Sequence, residues 1–93
     1  MDDATIQKRY LPMSESAFYI LLSLAGEKHG YAVMQDVETL TAGRIRLGAG
    51  TVYGTLGKME KESLIEVTAE ADRRKMYRLT DLGRQVLRLE IDR

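Results

Sequence analysis

The 93-residue sequence has no cysteine and no tryptophan, a single proline, phenylalanine and histidine, and no net charge. Without cysteine, disulfides and thiolate metal sites are excluded, and a reducing cytoplasm is the simplest compartment. The one histidine, His29, has no carboxylate cluster around it in sequence, so a metal or catalytic role is not expected. No phosphate loop, serine triad or zinc spacing occurs, which argues against an enzyme and against any cofactor. The longest apolar run, Ala17 to Leu22, is too short to span a membrane. The acidic start, Met1-Asp2-Asp3, lacks the basic and apolar regions of a signal peptide.

What remains is a chain of one-domain length, 44% apolar and 30% charged, ordinary for a globular protein. Its zero net charge hides an asymmetry. Residues 1–43 carry three Lys/Arg against six Asp/Glu, whereas residues 44–78 carry eight against five. The basic excess permits nucleic-acid binding by the second region without requiring it.

That region is organised around Gly50 to Ile65. Val52, Leu56 and Met59 fall at i, i+4 and i+7, the spacing of one helix face. Thr51, Thr55, Lys58 and Glu62 form the opposite face, with Tyr53 and Gly54 at its edge. Short hydroxyl side chains and a lysine on an exposed helix suit contact with phosphates and base edges. Gly54 and Gly57 each cost about 1 kcal/mol against alanine inside a helix. Close backbone approach, to a packed helix or to DNA, is the reason to keep them. Ser63 sits where the helix should end, a position that favours glycine. Ile65, Val67 and Ala69 alternate with polar residues as a half-buried strand. Tyr77 and Leu79 face the same core from a return strand, and Asp72-Arg73-Arg74-Lys75 forms a basic hairpin tip.

Before this region, Met1 to Leu11 shows little periodicity and is expected to be a loose arm or a short extra turn. Ser14 is a good N-cap for a helix whose residues Ala17 to Ala25 are apolar nearly all round. Such a helix needs cover on most sides, which suggests a partner subunit. His29-Gly30 leads into a second helix carrying Tyr31, Met34, Val37 and Leu40, closed by Gly43. Arg44-Ile45-Arg46-Leu47 alternates as a short strand with Ile45 and Leu47 inward. Thr80 caps a last helix with Asp81 in its first turn, an apolar stripe of Leu82, Val86 and Leu89, and Gly83 placed for a close crossing.

In order and spacing, the residues resemble the PadR family of bacterial transcription regulators. The matching pieces are His29-Gly30-Tyr31 after the apolar helix, Gly50-Thr51-Val52-Tyr53-Gly54-Thr55-Leu56, Glu62-Ser63-Leu64-Ile65, and Arg73 to Thr80 with Gly83-Arg84. The resemblance implies an α+β, mostly helical winged helix-turn-helix, with a three-helix core, a two-stranded wing and a C-terminal dimerisation helix. The expected division is an arm over 1–13, the winged helix over 14–80 and the dimerisation helix over 81–93. Two departures stand out. Ser63 replaces the family's usual glycine, and the last helix ends at Arg93 where family members commonly continue, as in a minimal or truncated member.

The implied function is a repressor acting as a homodimer on double-stranded DNA with a palindromic operator. The helix from Gly50 to Glu62 would enter the major groove, and the Arg73–Lys75 wing would lie on the backbone or in the minor groove. The expected DNA contacts are Thr51, Tyr53, Thr55, Lys58, Arg73, Arg74 and Lys75. The expected dimer interface is Phe18, Leu22, Leu82, Val86 and Leu89. A small-molecule effector at that interface is also within what the resemblance implies, although no tryptophan is present to stack a planar drug. The rival reading is a winged helix used for protein–protein contact without DNA.

Overall fold

A computed structural model describes all residues, 1–93. Five helices and a three-stranded antiparallel sheet follow in the order α1 (Asp3–Tyr10), α2 (Glu15–Ser23), β1 (Lys28–His29), α3 (Gly30–Leu40), α4 (Ala49–Lys61), β2 (Ile65–Ala71), β3 (Arg74–Leu79) and α5 (Asp81–Ile91). The sheet order is β1-β3-β2. This is the α+β winged helix expected from the sequence.

The first thirteen residues are not loose. Asp2 accepts a hydrogen bond from the Thr5 amide at 2.8 Å and caps α1. Ile6 is fully buried, and an Asp3–Arg88 ion pair and a hydrogen bond from the Met13 amide to the Glu90 carboxylate fasten the segment to α5. The sequence signal was present but slight: one capping aspartate followed by Ile6 and Tyr10 at i and i+4.

Helix α2 begins at Ser14, whose hydroxyl accepts from the Ala17 amide, and buries Ile20 and Leu21. Its apolar circumference is covered mostly within the chain, by α3, α4 and α5. Helix α3 buries Val33 and Val37 and ends in a turn with Ala42 and Gly43 at positive φ.

Residues 44–47 do not form the expected strand. They run as a loop in which Ile45 and Leu47 are half-buried against the core, and the Ile45 amide donates to the buried Thr41 hydroxyl. Alternation reports which side chains turn inward, but a strand also needs a free edge to pair with. That edge, on β3, is taken by Lys28 and His29, which pair with Tyr77 and Met76.

The hairpin is closed by Asp72 and Arg73, both at positive φ, the signature of a two-residue I′ turn matched to strand twist. Arg74 and Lys75, expected in the tip, begin β3 instead. A bulge between Val67 and Ala69 resets the register. Ile65 and Val67 therefore face the core, whereas Ala69, expected beside them, is exposed.

At the root of the hairpin, Ser63 adopts φ 62° and completes a Schellman ending: its amide donates to Glu60, and that of Leu64 donates to Met59. The Thr80 hydroxyl donates to the Ser63 carbonyl at 2.6 Å and accepts from the Gly83 amide at 3.0 Å. The close crossing expected at Gly83 is made here, because a Cβ on Gly83 would sit 1.9 Å from the Leu64 carbonyl oxygen.

Candidate nucleic-acid interface

Helix α4 stands on its apolar face. Val52, Leu56 and Met59 are buried, which fixes how the helix is rolled and sends the rest of its surface outward. Its N-cap is Gly48, without a side-chain hydrogen bond. Thr51 is an exposed residue of the first turn.

The outermost crest of α4 is formed by Gly50, Gly54, Gly57 and Lys61, which the 100° step of an α-helix places opposite the buried face. A Cβ at Gly50, Gly54 or Gly57 would meet nothing within 4 Å. Packing against another helix of this chain is therefore not their reason. The crest is smooth, and an approaching surface could come close to the helix backbone.

The two flanks of the crest differ. On one, Tyr53, Gly57 and Glu60 share a cleft of about 570 Å³ with His29, Tyr31, Arg73, Arg74 and Lys75. Tyr53 is 49% exposed and Tyr31 63%. Nδ1 of His29 lies 3.2 Å from the Lys75 carbonyl, linking β1 to the tip end of the wing. Tyr77 is also in the lining; burial first, then the nearby Glu60 carboxylate, raises its pKa, so it stays a neutral phenol. On the other flank, Thr55 and Lys58 line a separate groove with Tyr10, Met13 and Ser14. The sequence suggested that Thr51, Tyr53, Thr55 and Lys58 all turn the same way beside the wing. Only Tyr53 shares the wing's cleft, while Thr55 and Lys58 lie across the crest from it. Tyr31 and His29, on α3 and β1, were missed because only tertiary pairing carries them to the wing.

Charge pairing sharpens the picture. Seven of the fourteen basic residues form ion pairs within the chain: Lys28, Arg44, Arg46, Arg78, Arg84, Arg88 and Arg93. Of the other seven, only Lys8 and Arg9 lie elsewhere. Lys58, Lys61, Arg73, Arg74 and Lys75 all lie on α4 or the wing, and all are exposed. A neutral chain thus leaves its unpaired positive charge concentrated on one structural unit.

The residues expected at a dimer interface divide. Val86 and Leu89 are buried in this chain's own core, whereas Phe18, Leu22 and Leu82 are partly exposed. The stripe on α5 is covered largely by α1 and α2 of the same chain.

A model of the transcriptional regulator PadR-like family matches residues 20–89. The chain belongs to that family. It is a family of transcriptional regulators rather than enzymes. Among curated proteins, the chain is 32% identical over 82 residues to the transcriptional regulator YqjI of Escherichia coli (strain K12), covering 87% of this chain and 40% of that protein. It is 33% identical over 78 residues to an uncharacterized 37.1 kDa protein in transposon TN4556 of Streptomyces fradiae, covering 83% and 22%. The chain thus spans less than half the length of these relatives. Among solved structures, Bacillus subtilis PadR in complex with operator DNA superposes with a TM-score of 0.72 at 29% identity, over 88% of this chain and 49% of that one. H. salinarum RosR gives 0.79 at 19% identity, over 89% and 74%, a likeness of fold. No helix of this PadR-family chain is long and apolar enough to cross a membrane.

Proposed function

We propose that this PadR-family chain binds double-stranded DNA as a transcriptional repressor, with α4 in the major groove and the β2–β3 wing on the adjacent backbone or minor groove. The observation that carries the reading is the gathering of Lys58, Lys61, Arg73, Arg74 and Lys75, unpaired and exposed, on α4 and the wing. Such a cluster gains free energy by releasing counterions from a phosphate backbone. The glycine crest lets α4 sit deep in a groove about 12 Å wide, with Thr55 and Lys58 toward one wall and Tyr53 toward the other. The operator DNA bound by the 29%-identical Bacillus subtilis PadR supports the same assignment.

The protein acts in the cytoplasm as a homodimer, and a palindromic operator would mirror its two-fold symmetry. Phe18, Leu22 and Leu82, with the exposed Ile91 at the end of α5, are the apolar residues left for that contact. Selection from a random duplex pool tests the reading. A palindromic consensus, bound with an affinity that falls steeply with salt, is the expected result; no salt-dependent binding to any duplex would overturn it in favour of a protein–protein module.

A further inference from the structure

Gly30 is buried at the first position of α3, yet its φ is not in the left-handed region, so the backbone there does not require glycine. The space beside it is what excludes a side chain. A Cβ on Gly30 would lie 2.5 Å from Cε1 of Tyr53, 2.9 Å from its Cζ and 3.1 Å from its hydroxyl oxygen. The outer end of the tyrosine ring therefore rests against a bare α-carbon. Tyr53 is half exposed and is not part of the core. Swung into water, its ring would leave no cavity behind. The glycine is thus not needed to fill the interior; it sets where an exposed phenol points.

That direction is into the cleft shared with Arg74 and Lys75, whose strand is held close by the His29 contact to the Lys75 carbonyl. We propose that Gly30 is a positioning residue for DNA binding: it seats the Tyr53 ring so that its hydroxyl, together with the wing cations, meets one backbone phosphate. The inference rests on the DNA-binding reading of this face and adds to it a residue that itself touches no DNA. It separates two demands on one position, since alanine favours a helix over glycine, and the three atoms nearest a Cβ there all belong to the Tyr53 ring and its hydroxyl.

The test compares the wild type, Gly30→Ala, Tyr53→Ala and the double variant, by thermal melting and by fluorescence anisotropy with a labelled random-sequence duplex at low salt. Gly30→Ala is expected to keep or raise the melting temperature and to weaken binding about tenfold, the contribution of one hydrogen bond to a charged group. In the Tyr53→Ala background it should weaken binding no further. Wild-type affinity in Gly30→Ala, an equal loss with and without the Tyr53 ring, or a lowered melting temperature would each overturn the proposal. If the wild type binds no duplex at any salt concentration, the DNA-binding reading itself fails and takes this inference with it. A bound wild type with an unaffected Gly30→Ala removes only the inference.

Discussion

The joint at the root of the wing and the crest of α4 are both built with glycine, for opposite reasons. At the joint, Gly83 presses against the Leu64 carbonyl so closely that no side chain fits. Thr80 bonds to both Ser63 and Gly83. On the crest, Gly54 and Gly57 face empty space. The first region is filled, hydrogen-bonded and spent on the fold. The second carries a helix-propensity cost with no internal return, which marks a surface shaped for something outside the chain. The basic residues divide in the same way: Arg84 and Arg88 of α5 are paired with carboxylates, and those of α4 and of the wing's tip, Arg73 to Lys75, are not; Arg78, nearer the wing's root, pairs with Glu66.

Substitutions can break this contrast. Gly83→Ala should be the most damaging, costing about 3 kcal/mol or more because a rigid backbone carbonyl must move; a chemical denaturation midpoint close to wild type would refute the tight crossing. Arg74→Glu should leave that midpoint unchanged but weaken duplex binding by one to two orders of magnitude, roughly the loss of a phosphate contact plus a new repulsion. A neighbouring change, Lys58→Ala, should lower the salt slope of binding by about one unit if it meets a phosphate. Thr80→Ala should cost about 1 kcal/mol in stability, the usual worth of an N-cap. Gly54→Ala is expected to do the reverse, raising stability by about 0.5–1 kcal/mol while weakening DNA binding. If it strengthened binding instead, the crest would not be in close contact.

The smallest effect concerns pH and α1. The hydrogen bond from Thr5, side chain first and then backbone, lowers the pKa of Asp2 below its ordinary value of 3.8. A carboxylate whose pKa is lower in the folded state adds stability above its unfolded value and loses it as pH falls through the folded one. Amide exchange in α1 should therefore be protected at neutral pH and freed only in acid, with Asp2→Asn losing most of that dependence.

Much of this was legible in residue order. The buried roll of α4, the caps at Ser14 and Thr80, the left-handed Ser63 and the close crossing at Gly83 all follow from side-chain chemistry within a few positions. The loop at 44–47 was misread because alternation gives the inward direction without naming a pairing partner. Helix α1 was read only as a loose arm or a short extra turn, because its few apolar residues signal little until α5 is placed against them. The site was read only in part for the same reason. Thr55 and Tyr53 are two residues apart, but which flank meets the wing depends on how α4 is docked.

The sequence by itself determined the order of elements over most of the chain, the buried face of the reading helix and the basic bias of its second half, since these rest on local propensity and periodicity. Tertiary structure alone decided which cations remain unpaired, which strand completes the sheet, and that Gly30, twenty-three residues before Tyr53, sets the seat of its ring. Those depend on contacts between segments far apart in the chain, where neither spacing nor composition carries the distance.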